Sequence, residues 1–197
     1  MKTRISNGNS KLGKIPNISL TPIKSCGNCS HCKNDCYALK AYRMYPSVKN
    51  AWDINYDLVS SSAQNRARFF IDISQYLRKK RPSFFRWHVA GDILDQKYLN
   101  SMISTAENYP QVKFLALTKM FHLDYSKTPD NLSIVFSMWT GQRKPRTKKG
   151  VAGFAWYQDG TENRVPDSAI ECPGKCDSCG MCFDIAKIGG NVVFNKH

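Results

Sequence analysis

The sequence predicts a single α/β domain over residues 1–197, built as a small incomplete (β/α) barrel or an open parallel sheet with N-terminal helices. Helical periodicity dominates the chain from residue 37 to residue 80, and short apolar runs begin at residue 84. The first three runs start roughly 28 and 20 residues apart, which is typical of βαβ units and therefore of parallel strands. The chain has 197 residues, which is long enough to bury one core, and its 42% of hydrophobic residues is ordinary for a globular protein.

Three helices are predicted before the sheet. Pro46 either breaks the first helix or starts the second at its first turn, where proline is tolerated. Pro82 ends the third, because proline removes a backbone donor and clashes with the preceding turn. Earlier in the chain, turn-forming residues surround one short extended piece at residues 18–20. The predicted helices start at residue 37 and cover residues 47–60 and 63–80.

The predicted strands are short runs of β-branched and aromatic residues. A helix over residues 97–108, with Leu99, Met102 and Ile103 on its apolar face, separates the first two strands. The connection over residues 120–131 is short for a full helix, so we expect an irregular crossover there. The strands are predicted at residues 84–89, 112–117, 132–137, 151–157 and 191–194.

All eight cysteines fall into two short loops, which give the strongest functional signal in the chain. The loop at residues 26–36 has the spacing C-x2-C-x2-C-x3-C, by which bacterial ferredoxins hold a [4Fe–4S] cluster. The loop at residues 172–182 is an approximate mirror image, C-x3-C-x2-C-x2-C. The predicted metal ligands are Cys26, Cys29, Cys32, Cys36, Cys172, Cys176, Cys179 and Cys182.

Three interpretations of these cysteines compete. Disulfides would need an oxidising compartment, and the polar N-terminus lacks the apolar stretch of a signal peptide. A four-cysteine zinc site usually takes two C-x2-C pairs from separate hairpins, whereas each group here is continuous and suits the separate iron corners of a cubane. We predict two [4Fe–4S] clusters, one for each loop, with zinc as the alternative. Exchange of Cys36 or Cys172 between clusters stays open, because two-cluster ferredoxins exchange a cysteine in this way.

The chain is strongly basic, with a formal net charge of +14 from 29 basic and 15 acidic residues. Two clusters with their thiolates would lower this to about +10. We therefore expect an anionic partner, with nucleic acid first, against the alternative that a basic surface serves solubility alone. No stretch has the length and apolarity of a membrane helix, so no membrane partner is expected.

One basic run lies between Gly141 and Gly150 and has no apolar period, so it is predicted to be a loop that contacts phosphate. Another, at residues 78–81, closes a predicted helix, where cations suit the helix dipole. The predicted nucleic-acid contacts are Arg143, Lys144, Arg146, Lys148 and Lys149.

Ligands of parallel α/β sheets collect at the carboxyl ends of the strands, which here gives three candidate catalytic residues. His88 is a candidate proton shuttle or ligand, or else a hydrogen-bonded structural histidine. Asp92 is a candidate base, or else the cap of the following helix. Lys119 is a candidate for binding phosphate or carboxylate, and a cluster's negative charge would also attract it. Thr118, Ser137, Trp139 and Thr140 are expected at the same edge.

Several stretches together resemble a family of phage and prophage proteins named for a gene product 88. They are residues 8–13, 25–26, 36–40, 86–92, 114–119 and 172–182, and their order spans most of the chain. The resemblance implies a phage origin, the cytoplasm of a bacterial host and metal-binding cysteines, and it carries no settled activity. Cys29 stands as an addition to the family's first cysteine group.

The spacing of Cys172, Cys176 and Cys179 also resembles the C-x3-C-x2-C motif of radical S-adenosylmethionine enzymes. That family has a partial (β/α) barrel and leaves one iron of its cluster free for the methionine moiety. Here Cys182 is placed to close that iron, and the run follows the predicted strands, whereas the family carries its motif after the first strand.

These observations predict an iron–sulfur protein with a structural or redox-sensing cluster and a basic surface for nucleic acid or another anionic partner. An electron-transfer or radical-type iron–sulfur enzyme is the first alternative. A zinc-stapled nucleic-acid-binding protein is the second.

Overall fold

The computed structural model describes residues 1–27 and 29–195, and one open sheet of seven parallel strands forms its centre. Along the sheet the strands follow the order β1-β2-β3-β4-β5-β7-β6, and each neighbouring pair is parallel. The α/β prediction is therefore confirmed in its open-sheet form. The strands are β1 Asn17–Ile18, β2 Phe84–Trp87, β3 Lys113–Thr118, β4 Leu132–Met138, β5 Gly153–Gln158, β6 Ile170–Glu171 and β7 Asn191–Asn195.

Three helices separate β1 from β2, as the periodicity predicted. Pro46 occupies the first turn of the second helix, and the Ser62 hydroxyl caps the third by accepting from the Asn65 N–H at 3.1 Å. The helices are α1 Tyr37–Met44, α2 Pro46–Ser61, α3 Ala63–Lys80, α4 Gln96–Asn108 and the short α5 Cys176–Cys179, followed by a 3-10 helix at Met181–Ile188.

The two faces of the sheet carry two separate cores, because successive strand residues point to opposite faces. On the first face, the apolar sides of α2, α3 and α4 cover aromatic residues such as Phe85, Trp87 and Phe114, all fully buried. On the second face, Leu115 and Val135 are covered by an N-terminal loop around Leu12 and by the 3-10 helix. The helices α2, α3 and α4 therefore lie on one face, and the loop around Leu12 and the 3-10 helix lie on the other.

The sequence places most elements to within two residues of their structural bounds. The predicted bounds of α3 agree with the structure, and residues 119–131 form turns rather than a helix, as expected. The strand β6, the helix α5 and the 3-10 helix were not predicted. Among the described residues, no helix combines the length and apolarity needed to cross a membrane.

Candidate functional site

The first cysteine site, formed by Cys26, Cys29, Cys32 and Cys36, follows β1 at the carboxyl edge of the sheet. The chain reaches it through a turn in which the Ser25 hydroxyl donates to the Thr21 carbonyl at 2.6 Å. A side chain at Gly27 would lie 2.5 Å from the Met120 sulfur, so the loop packs closely on the segment after β3. This contact brings the first cysteine site to the ends of the central strands.

Burial is the main electrostatic effect at the first cysteine site. Burial, with a smaller contribution from the nearby Asp92 carboxylate and the other thiols, raises the pKa of the Cys26 thiol to about 12. Burial also raises the pKa of Cys32, while the ammonium group of Lys119 opposes that rise. The Lys119 ammonium group also lies 5.4 Å from the centre of the Trp139 ring. Lys119 is therefore the cation that acts on the Cys32 thiol of this site.

The second cysteine site, formed by Cys172, Cys176, Cys179 and Cys182, lies on the second face of the sheet. The Cys172 N–H donates to the Val193 carbonyl at 2.9 Å, and the Cys176 N–H donates to the Lys11 carbonyl at 2.8 Å. Three of these cysteines, Cys172, Cys176 and Cys182, pack against the second core. Backbone bonds to β7 and to the N-terminal loop thus fix this site.

Arg86 is the cation that acts most strongly on the second cysteine site, and Lys11 has a smaller effect on Cys176. Arg86 lies on β2, and its Nε donates to the Trp87 carbonyl at 3.1 Å. Burial lowers the pKa of its guanidinium, and the facing tyrosine and cysteine groups oppose that change. Burial also raises the pKa of Cys176, and it raises that of Cys182 to about 12, in both cases against the charge of Arg86.

The two cysteine sites approach each other at the end of β2. Tyr37 directly follows Cys36 of the first site, and its hydroxyl donates to the Val89 carbonyl. Val89 in turn packs against the second core together with Cys176 and Cys182. A single tyrosine hydrogen bond therefore links the segment after one site to the surroundings of the other.

Asp92 holds the strand ends together. Its carboxylate accepts from the Thr118 hydroxyl at 2.6 Å, from the Lys119 N–H at 2.9 Å and from the Ile93 N–H at 2.7 Å. Burial raises its pKa, and these hydrogen bonds oppose the rise. The suggestion that Asp92 caps the next helix is wrong, because the cap of α4 is Asp95, which accepts from the Tyr98 N–H at 2.8 Å. Because both of its carboxylate oxygens accept hydrogen bonds, Asp92 positions the strand ends and is not a free base.

His88 is buried behind the strand ends rather than exposed at them. Only 3% of its surface is accessible, its Nε2 lies 3.0 Å from the Tyr98 hydroxyl, and its Nδ1 is a buried atom without a partner among the described residues. Burial, followed by the charge of Arg86, lowers its pKa to about 3. The imidazole is therefore neutral near pH 7, which favours the structural alternative over the proton shuttle.

The basic loop, residues 143–149, lies beside the first cysteine site. Arg143, Lys144, Arg146 and Lys149 are exposed, and Lys148 is half-buried. Lys148 donates to the Leu123 carbonyl at 2.9 Å, and the Lys144 ammonium lies 4.8 Å from the centre of the Phe154 ring. These two lysines anchor the loop, so they are less available to a partner than the other three cations.

Of the remaining strand-end residues, Trp139 and Thr140 follow β4 at the carboxyl edge, while Ser137 lies inside β4. The Trp139 ring stacks on Tyr157 with ring centres 3.9 Å apart. Arg86 and Gln142 were not predicted as site residues. The alternation of β2, with apolar residues on either side of Arg86, was the available signal that an arginine points into a covered face.

The cysteines approach one another without forming a coordination shell. Within residues 1–27 and 29–195, no group of three or more His, Cys, Asp and Glu side chains is arranged to hold a metal ion. The donor set nevertheless fits a metal–thiolate centre in composition, since each site has four cysteines, none of them in a disulfide, and a facing cation. The cofactor itself stays a prediction.

A family model described as Gene product 88 matches residues 2–185 of the chain, a range that includes all eight cysteines. No curated protein matches the chain, and neither does any solved structure.

Proposed function

We propose that the chain, which belongs to the gene product 88 family of phage and prophage proteins, is an iron–sulfur protein of the host cytoplasm. Each cysteine site would hold one [4Fe–4S] cluster with a structural or redox-sensing role. The basic loop would engage nucleic acid. When bound, the clusters would supply one-electron redox chemistry, and the chain would supply their ligands and the surrounding charges.

The position of Arg86 is the observation that carries this proposal. Arg86 is half-buried, burial is the main effect on its guanidinium, and three thiols interact with it. It forms no ion pair with a carboxylate among the described residues. Arginine keeps its charge in proteins, and a buried charge needs a counter-charge. Metal binding deprotonates thiols, so the thiolates of Cys172, Cys176 and Cys182 would supply the negative counter-charge for the guanidinium of Arg86.

A zinc ion with four thiolates would carry the same charge, so the choice of iron rests on the continuous spacing of each cysteine loop. Metal and sulfide analysis with an absorption spectrum, on protein purified without oxygen, separates the two. Two cubanes give a brown protein with about eight irons and a broad shoulder near roughly 400 nm. A colourless protein with about two zinc ions would overturn the iron–sulfur proposal.

Paired cysteine substitutions test whether the two sites are independent. The double variant Cys26→Ser, Cys32→Ser should retain about four irons, and the double variant Cys176→Ser, Cys182→Ser should also retain about four. Ser178→Ala, in a gap of the second loop, is the matched control and should retain about eight. Loss of all iron in either double variant would show a shared or exchanged ligand set instead.

A radical-type enzyme is the second candidate, and the position of the first cysteine site favours it. The C-x3-C-x2-C spacing occurs in the second cysteine site, which lies on a covered face between β6 and β7. The first cysteine site, by contrast, follows β1 at the carboxyl edge of an open parallel sheet, which is where the radical family carries its motif. Reduced protein that yields no 5′-deoxyadenosine from S-adenosylmethionine would remove this candidate.

A further inference from the structure

A basic groove separates the basic loop from the first cysteine site. Its volume is about 430 Å³. A Cβ atom at Gly141 would lie 3.9 Å from the Nδ1 of His31, a residue that lies between Cys29 and Cys32 in the sequence. The groove is therefore bordered by both of the features that the sequence singled out. Its lining consists of His31, Phe121, Gln142, Arg143, Lys144, Pro145 and Arg146.

The charge of this groove is one-sided. Arg143, Lys144 and Arg146 line it, and none of them takes part in the ion pairs found among the described residues. No carboxylate contributes to the lining. The neighbouring Arg164 is neutralised by Glu162, so it adds little to the field. The groove therefore favours a ligand with negative charge.

Gln142 gives the groove a second, independent feature. The residue is only 4% exposed, and its Nε2 is a buried donor without a partner among the described residues. Its position is fixed, because its Oε1 accepts from the Trp139 N–H at 3.2 Å and its carbonyl accepts from Arg164. A buried amide donor left without an acceptor is costly, and a phosphate oxygen in the groove would satisfy it.

Phe121 adds an apolar surface to the same groove. Its ring is half-buried and packs on Phe136 with ring centres 4.9 Å apart, which holds it in place. Bases of a duplex are stacked on each other, whereas unpaired bases are free to stack on an aromatic ring. A positively charged groove that contains an aromatic ring is the arrangement that single-stranded nucleic acid requires.

We propose that this groove binds single-stranded nucleic acid, with a phosphate held by Arg143, Arg146 and the Gln142 amide and an unpaired base against Phe121. The inference rests on the nucleic-acid partner of the proposed function and specifies its form. The bound strand would then lie between the basic loop on one side of the groove and the first cysteine site on the other.

Fluorescence anisotropy with the full chain, purified without oxygen, tests this inference. The probes are a labelled oligothymidylate of about 12 nucleotides and a duplex of the same length. The double variant Arg143→Gln, Arg146→Gln should bind the single strand at least tenfold more weakly near 0.1 M salt. Its salt slope should fall by about 0.7, which corresponds to the loss of one phosphate contact. Inorganic phosphate should compete only at far higher concentration.

The double variant Arg78→Gln, Lys79→Gln is the matched control, because it removes the same charge from the exposed end of α3. It should weaken binding by no more than about twofold. Phe121→Leu keeps the apolar contact with Phe136 but cannot stack on a base, so it should weaken binding of the single strand by about tenfold. Gln142→Glu keeps the acceptor for the Trp139 N–H and should also weaken binding, because it places a carboxylate where the amide donor was.

Equal losses of affinity in the groove variant and the α3 variant would show that the groove is not the binding site, although the protein still binds nucleic acid. Equal affinity of the wild type for single strand and duplex would contradict the preference for single strands in the same way. If the wild type binds neither probe, the nucleic-acid part of the proposed function is also wrong, and the iron content then decides the iron–sulfur part separately.

Discussion

Among single residues, His88 combines a strained backbone with a buried ring. Its φ is +51°, in the left-handed region that residues other than glycine seldom adopt, although asparagine, aspartate and histidine are enriched there. Such a conformation costs on the order of 1 kcal/mol and persists only when the surroundings hold it. The hydrogen bond to Tyr98 and the packing against Trp87 provide that support. His88 therefore fixes the direction in which the chain leaves β2.

The burial of His88 predicts a pH dependence of stability. Its pKa is about 3 in the folded protein and near 6.5 when exposed. Between these values only the unfolded chain binds the proton, so stability falls as pH falls below 6.5. From pH 7.5 to pH 5.5 this group should remove about 1.4 kcal/mol of unfolding free energy. His88→Asn, which tolerates the positive φ, should lose this contribution in urea unfolding measured at both pH values.

His122→Asn is the control for this substitution, because His122 is exposed. Its unfolding free energy should follow the wild-type pH profile. If His88→Asn also follows the wild-type profile, then the pKa of His88 is the same in the folded and the unfolded protein, and its burial does not lower that pKa.

At the level of secondary structure elements, Asp95 determines where α4 begins. Its carboxylate accepts from the Tyr98 N–H and also pairs with Arg66 of α3 at 2.8 Å. Asp95→Ala should cost about 1–2 kcal/mol of unfolding free energy, because it removes the cap. Asp95→Asn keeps an oxygen acceptor and should cost less than about 1 kcal/mol, because the partly exposed ion pair contributes little. Equal costs in chemical unfolding would mean that the pair with Arg66 matters more than the cap.

Elements with strong local signals were predictable, and elements created by tertiary contacts were not. The third helix has a serine cap, a regular apolar stripe and a following proline, so both of its ends are specified locally. The strand β6 is two residues long and exists through its pairing with β7, which no local pattern encodes. The suggestion that Asp92 caps the following helix failed for a similar reason, since only the approach of Thr118 in the folded chain shows that its carboxylate is already occupied.

For the molecule as a whole, the sequence identified the donors of the candidate site but not their surroundings. The two cysteine loops are conspicuous in the sequence because the eight cysteines occur nowhere else. Their placement on different parts of the sheet, one beside Lys119 and the other over Arg86, depends on how the chain ends fold back. The groove with Gln142 depends on the same folding, since it joins loops that are more than 100 residues apart.

This arrangement predicts that the two proposed clusters differ in their response to Arg86. A neighbouring cation favours the more negative, reduced form of a cluster, so Arg86→Gln should lower the reduction potential of the second site. A unit charge contributes up to about 4 kcal/mol at an effective dielectric constant near 20, so the expected shift is on the order of 100 mV. The potential of the first site should change much less, because Lys119 remains beside it.

Redox titration followed by electron paramagnetic resonance measures both potentials in one sample. The double variant Cys26→Ser, Cys32→Ser assigns the signal of the second site. Arg86→Lys retains the charge and should keep the potential close to the wild-type value, which separates charge from packing. A shift of the same size in Arg86→Lys would attribute the effect to lost packing around β2, and no shift in Arg86→Gln would mean that the guanidinium does not compensate the thiolates.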